Sequence, residues 1–537
     1  MTEYSWTNPV NTKSGSISTN SQLTSACASF LISGFLALVV ACLIKKLRSK
    51  KYEEFWTQRH LPILVSAPVI GHFWKCFFKL KSLPDHMVHL YRSFPGASYF
   101  GASDFFTPVI VVKDTKIVQL IMVKHFNDFS NHSAFVTEEM DPILGKNLFS
   151  LKGSRWRHFR NLLSPNFTAL KMKQMFELVK RCSAEFVEYF AENPEARESI
   201  ECKDALSRYT NDVITSTTLG IEVNSMVDRD NEFLMRGHHG SVSSVSLWKF
   251  VKVVSYKLVP NLMRFLGIRF LSKADDEFFK GVVTKVVRNR EEKGSQRADM
   301  IHTLMEARRK QEEGLDDERI EVGIDDIIAQ AFIFYSAGFD TASNLMCFLA
   351  YELARNPDIQ EKARAEVDEY IATNGELTYD GIKDLKYLDM VVNETLRLYP
   401  PTPLTDRTCL NAITLPPHRE GSEGTKVTQG TKVVIPIFAI QRDPENHPDP
   451  ERFDPERFSD ERRRGITDYN FLPFGAGPRK CIGNRFALME TKVLFFDILR
   501  RFALELDAKT ANPPVYSKKN FNTVMKDGCW IKLVKRT

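Results

Sequence analysis

The chain has 537 residues, 43% hydrophobic, 11% aromatic and 26% charged, an ordinary globular balance. Its 73 Lys and Arg against 67 Asp and Glu leave +6, and five of the positives sit together at Lys45, Lys46, Arg48, Lys50 and Lys51. The remainder is near neutral, which excludes a general nucleic-acid surface, and nine scattered cysteines without a CxxC pair argue against a zinc site or a disulfide framework.

Residues 1–25 form a polar tail rich in Ser, Thr and Asn. The apolar run 26–44 would make roughly 28 Å of helix, about one hydrocarbon thickness. A cleaved signal peptide would carry its positive charge before the run; here the cluster follows it, from Lys45. The positive-inside rule then places the N-terminus in the lumen and everything after residue 45 in the cytosol. Residues 45–75 are basic, contain Pro62, Pro68 and Gly71, and read as a linker. No Gly/Ser/Pro-rich break follows, so 76–537 reads as one large unit. Its many phenylalanines suit a large core and an apolar cavity.

Short β-rich runs in 92–125, such as Pro-Val-Ile-Val-Val at 108–112, predict a small sheet. In 156–176, Trp156 and Arg160 lie four apart, on one face of a predicted helix. An indole N–H and a guanidinium can both donate to a carboxylate; an ordinary amphipathic helix fits the spacing as well. Residues 184–320 are mostly helical by period, and 258–271 is apolar apart from Arg264 and Arg269. The long apolar pattern 323–354 should run through the core as a helix. Within it, 337–341 reads Ala-Gly-Phe-Asp-Thr. A buried acid and hydroxyl are costly there, and Gly338 lowers helix propensity. Such joint departures mark functional sites; a kink with Thr341 bonded back to a carbonyl is the plain alternative. Glu394 and Arg397 stand at ion-pair spacing at the end of a helix beginning near Asp384, which Pro400 and Pro401 break. Residues 433–438 read as a strand.

The stretch 474–483 reads Phe-Gly-Ala-Gly-Pro-Arg-Lys-Cys-Ile-Gly, and an apolar helical pattern follows from 484 to 502. A thiolate just before a helix is stabilised by the positive helix end and free N–H groups. The glycines let the backbone approach something large and flat, and Arg479 can pair with an anion on the same object. These features describe a haem seat, in which a thiolate ligand favours O–O cleavage. A buried free cysteine in a Gly-rich turn is the bland alternative. The stretch resembles the haem-binding signature of the cytochrome P-450 superfamily, with Phe474, Gly477, Arg479, Cys481 and Gly483 in all five fixed places.

That resemblance implies a mainly α fold with a small β-sheet subdomain behind one N-terminal transmembrane helix, and haem b with an axial Cys481 thiolate. The segment after Trp156 is similar to the microsomal clan of the mammalian family-three and insect family-six and family-nine enzymes, most like insect family nine. By that similarity Trp156, Arg160 and Arg407 bind the haem propionates, and His132 stands where the clan has a third basic residue. The run 337–341 matches the oxygen-activation motif: Thr341 would hold dioxygen and its water, and Asp340 would feed protons. Glu394, Arg397 and Arg457 match the family's structural ion triad. Phe135, Phe332, Phe334, Tyr335, Ala337, Phe339, Leu404, Thr405 and Thr523 would line the substrate pocket. Residues 258–271 would lie over its entrance against the membrane, with a buried helix pair as the alternative.

The implied function is a monooxygenase of the endoplasmic reticulum that inserts one oxygen atom of dioxygen into lipophilic small molecules, such as insecticides and plant toxins. No flavin or dinucleotide motif is present, so NADPH electrons would come from a separate flavoprotein reductase, with cytochrome b5 as a further partner. Arg155, Arg157, Lys480 and Arg485 would form its docking face. Dedicated oxidation of an endogenous lipid or hormone, a haem-thiolate isomerase or dehydratase, and a non-enzymatic haem protein are the other readings. Asp340-Thr341 counts against the isomerase.

Overall fold

The structure, a computed structural model, describes residues 59–64, 71–104, 107–133, 136–239, 244–293, 299–314 and 320–536, with single positions 35 and 39. Contacts divide the chain into units 1–51 and 52–537, and the elements below belong to the second. Apart from those single positions, the expected membrane span 26–44 lies outside the described residues, as does Phe135. Among the described residues no helix is long and apolar enough to cross a membrane.

The helices that position the site are α1 (Trp74–Phe77), α2 (Leu83–Arg92), α3 (Gly153–Leu163), α4 (Ala169–Glu192), α5 (Cys202–Ile214), α6 (Glu232–His239), α7 (Leu247–Leu258), α8 (Lys273–Lys293), α9 (Ile324–Arg355), α10 (Lys386–Leu398) and α11 (Asn484–Arg501). The 32-residue α9 is apolar on nearly every side and therefore runs through the main core, packed by α5, α8, α10 and α11. Asp325 and Asp326 in its first turn oppose the positive helix end. It approaches α5 so closely that a Cβ on Gly338 would lie 2.7 Å from Ile214 Cδ1. Packing therefore accounts for Gly338, which the sequence presents as an anomaly inside a helix.

The strands are β1 (Tyr99–Asp104), β2 (Thr107–Val112), β3 (Ile200–Glu201), β4 (Thr405–Thr408), β5 (Ile413–Pro417), β6 (Gly424–Val427), β7 (Lys432–Ile435), β8 (Phe502–Leu506) and β9 (Trp530–Lys535). The principal sheet has the order β1-β2-β7-β4, with only the β2–β7 pair parallel. A second core lies against it, including Ile110, Val112, Met122 and Val433. The strand expected over 433–438 ends at Ile435, because Pro436 carries no N–H for the ladder and 437–440 coils into a short helix. The pattern expected to stay helical to 502 stops at Arg501, and Phe502 opens β8 in the sheet β3-β9-β8.

The buried-pair alternative for 258–271 does not hold. Phe265 is 87% exposed, and Leu262 and Leu266 are also open. The neighbouring α7 exposes Trp248 and packs Phe250 on Phe77 (4.8 Å) and Phe78 (6.1 Å), next to exposed Leu80.

Candidate active site

Two glycines in the left-handed region, Gly475 (φ 70°) and Gly477 (φ 68°), wind the loop 474–483. At Gly477 a Cβ would sit 2.1 Å from Met122 O, so no side chain fits. Cys481 N donates to Phe474 O (2.9 Å), and Gly483 leads into α11. The Cys481 thiol is accessible, yet burial still dominates its titration and pushes it up; Gly483 N–H, Arg160 and Lys480 pull it down. The helix end acts in the expected direction but is outweighed, and the protein alone favours the thiol form.

Three arginines converge on this loop. Arg160 Nη2 donates to Lys480 O (2.9 Å). Arg479 donates to Ser130 O (2.8 Å) and Leu151 O (2.7 Å), and its guanidinium lies 4.0 Å over the Trp156 ring. Much of its bonding capacity therefore staples the loop to 130–151. Arg407, buried on β4, donates to Asp406 O (2.6 Å), while its Nε is buried without a partner. Burial lowers Arg407 to about 10, and burial with repulsion from Arg407 and Arg160 lowers Arg479 to about 9.

Asp406 opposes these charges but is already engaged. Its oxygens accept from Ser133 N (2.7 Å) and His132 Nδ1 (2.9 Å). A bridge from Asn131 to Thr408 holds 131–133 beside β4. His132 stacks on Phe149 (4.4 Å), and burial lowers it to about 4, so it stands neutral where the clan has a third basic residue. Its Nδ1 is also 3.4 Å from Arg407 Nη1; the shorter contact to the carboxylate makes Nδ1 the donor. The arginines are left in excess, as an electropositive seat for a dianion.

In the middle of α9 Ala337 is exposed and Ile333, Phe334, Ser336, Gly338, Asp340 and Thr341 are part-exposed. Among them Phe334, Ala337, Gly338 and Thr341, spaced three and four apart, form one stripe. Phe334 stacks on Phe167 (5.9 Å). Phe332, Tyr335 and Phe339 are buried elsewhere: Phe332 packs on Phe279 of α8 (5.0 Å), Tyr335 Oη bonds Phe233 O of α6 (2.6 Å), and Phe339 stacks on Tyr335 (5.8 Å). Leu404 and Thr405 are part-exposed, while buried Thr523 donates to Pro400 O (2.6 Å).

Thr341 Oγ1 donates to Ala337 O (2.7 Å), the back-bond of the plain alternative, and its oxygen keeps capacity to accept. Asp340 is held by both oxygens: Oδ1 accepts from Lys203 Nζ (2.9 Å) and Oδ2 from Asn522 Nδ2 (2.7 Å). Neither partner is suggested by the sequence, since they lie 137 and 182 residues away. Asp406 had a signal, its place beside Arg407.

Glu394 and Arg397 pair at 2.7 and 2.8 Å with both side chains 0% exposed. Arg457 Nε is 3.5 Å from Glu394, within ion-pair reach but too far to satisfy its N–H, and it anchors instead to Pro448 O (2.6 Å). Arg397 Nη1 reaches Gln441 O (2.9 Å), and Gln441 Oε1 accepts from Leu472 N (2.6 Å), two residues before the loop. Of the expected basic face, Arg155 is neutralised by Glu138 (2.8 Å) and Asp326 (2.5 Å). Arg157 and Arg485 remain exposed.

The family model described as Cytochrome P450 matches residues 62–528. The chain belongs to the cytochrome P450 family. Cytochrome P450 9e2 of Blattella germanica is 39% identical over 508 residues, covering 90% of this chain and 94% of that protein. In Drosophila melanogaster, cytochrome P450 9c1 is 35% identical (89% and 93% covered) and cytochrome P450 6a8 is 36% identical (89% and 94% covered). This P450 is therefore a haem-thiolate monooxygenase resembling insect families nine and six, with haem held by an axial cysteine thiolate. Its residues fit that cofactor. The arginine excess and the orphaned Arg407 Nε suit two propionates. Gly483 has φ −92°, and a Cβ there would meet nothing nearer than Phe167 Cε1 at 3.8 Å, so no contact within the chain demands glycine. A flat ring over the loop would.

Proposed function

We propose that this P450 oxidises lipophilic foreign compounds at the endoplasmic reticulum membrane, with Cys481 as the haem ligand and Trp156, Arg160 and Arg407 around the propionates. The observation that carries the reading is the stripe Phe334, Ala337, Gly338 and Thr341, apolar but for one hydroxyl, which is part-open in the middle of a largely buried helix with Ile333, Ser336 and Asp340 part-open beside it. Bound haem supplies the iron at which dioxygen is activated. Phe334 and Ala337 offer an apolar wall to substrate, Thr341 Oγ1 accepts a hydrogen bond from water, and Asp340 carries protons inward. Glu394, Arg397 and Arg457 keep the cysteine loop in place.

Electrons would come from an NADPH-dependent flavoprotein reductase, with cytochrome b5 as a second donor, docking on Arg157, Lys480 and Arg485. Anchoring would rest on 26–44, with the N-terminus lumenal. A second membrane contact is supported by the apolar face of Phe78, Leu80, Trp248, Leu262, Phe265 and Leu266. Incubation with reductase, NADPH and heavy dioxygen against a pool of insecticides, plant toxins and cellular lipid extract tests the reading. Products from several unrelated foreign compounds should carry one heavy oxygen. A single labelled endogenous lipid would favour a biosynthetic enzyme, and no label with intact, reducible haem would refute the reading.

A further inference from the structure

Asp340 sits between two elements that the oxygen-activation motif does not include. Lys203, at the start of α5, donates to Asp340 Oδ1 (2.9 Å), to Asp340 O (3.3 Å) and to Ser343 Oγ (2.6 Å). Asn522 donates to Oδ2 (2.7 Å) from a turn near the C-terminus. That turn is fixed on both sides of Asn522. Thr523 is clamped to Pro400 O (2.6 Å) and, through its N–H, to Pro401 O (2.9 Å). Phe521 meets the Phe77 ring edge-on at 5.8 Å, beside the apolar face that carries Phe250.

A carboxylate engaged at both oxygens is held in one orientation, and must loosen one contact to pass a proton. The two contacts differ in strength. Lys203 donates from a charged ammonium anchored by three acceptors, whereas Asn522 offers one bond from an uncharged amide. Asn522 is therefore the side that yields.

We propose that Lys203 and Asn522 are positioning residues for Asp340, and that Asn522 couples the Phe521–Thr523 turn to it, so that an apolar ligand pressing on Phe521 frees Oδ2 for proton transfer. This rests on the reading of Asp340 as the proton carrier. Lys203, 23% exposed, forms the link towards the surface.

The test uses haem-loaded Asn522→Leu, Asn522→Ser, Lys203→Met, Lys203→Arg and Asp340→Asn, with reductase and a lipophilic alkoxycoumarin probe. Peroxide released per NADPH is measured with and without probe. The infrared carboxyl band of Asp340, assigned by difference from Asp340→Asn, is read in parallel and needs no turnover. In the parent, probe binding should shift that band and lower peroxide release. Both Asn522 variants should lose the shift and the probe dependence. Lys203→Met should raise peroxide release roughly tenfold, the worth of one charge-assisted hydrogen bond, and Lys203→Arg should restore most of it. If Asp340→Asn uncouples turnover while the Asn522 and Lys203→Met proteins behave as the parent, the coupling is wrong and the role of Asp340 stands. If Asp340→Asn leaves peroxide release unchanged, both fall.

Discussion

Gly477→Ala and Gly483→Ala separate what the protein needs from what the cofactor needs. At Gly477 an alanine would be held at φ 68°, which costs roughly 1–2 kcal/mol. Its Cβ would also lie 2.1 Å from Met122 O, more than an ångström inside ordinary contact. Relief through backbone angles costs up to about 4 kcal/mol, for a sum of up to ~6 kcal/mol. Unfolding entropy of ~2 cal/mol/K per residue over about 480 residues converts that to a Tm lower by up to about 6 °C. Gly483→Ala meets no clash and no left-handed strain, so its cost within the protein is below about 0.5 kcal/mol. Calorimetry of the haem-loaded proteins and the rate of haem transfer to excess apomyoglobin read the two effects. Gly477→Ala should lower Tm, whereas Gly483→Ala should accelerate haem loss at least several-fold with little change in folding. A Gly483→Ala protein that holds haem like the parent would refute the argument for a ring lying over this glycine.

Three further outcomes follow from the same geometry. Glu394→Ala leaves the Arg397 guanidinium buried without its carboxylate, a loss of roughly 3–5 kcal/mol; thermal inactivation should quicken sharply and Glu394→Gln should recover part of the loss. His86 has both ring nitrogens buried without partners and is pushed down to about 3 by burial. The unfolded chain takes up that proton near its ordinary value, so His86 removes stability as pH falls from about 6.5 towards 3, by about 2 kcal/mol at pH 5. His86→Phe should therefore stabilise the protein at pH 5 by that much more than at pH 8 in denaturant titrations. Charge reversal at Arg157 and Arg485 should raise the reductase concentration for half-maximal rate; Arg155→Glu should instead lower Tm by breaking its pairs with Glu138 and Asp326.

The parts of this molecule written in contiguous residues could be read before folding. The cysteine loop, the long α9 and the helix bearing Glu394 and Arg397 are each set by spacing within a few residues, and each formed within two or three residues of its expected bounds. Their ends were less legible, because Pro436 and Phe502 act through sheet partners distant in sequence. Trp156 and Arg160 came with the helix; that Arg479 also holds backbone carbonyls of 130–151 was not written in its place in the loop. The pocket was the weakest reading. Apolar character marks Phe332, Tyr335 and Phe339 as readily as Phe334 and Ala337, and only packing by α5, α6 and α8 decides which face is open. Lys203 and Asn522 could not be found by pattern at all: their meaning is their meeting at Asp340.

The account stands on Cys481 as the haem ligand, and Cys481→His and Cys481→Ala test it most directly. The absorption spectrum of the reduced, carbon monoxide-treated protein should show the long-wavelength Soret band of thiolate ligation in the parent. Cys481→His should retain haem with that band moved to the short-wavelength position of a nitrogen ligand, and Cys481→Ala should lose the thiolate band altogether. A thiolate band persisting in either variant would place the iron on another cysteine and contradict the site described above.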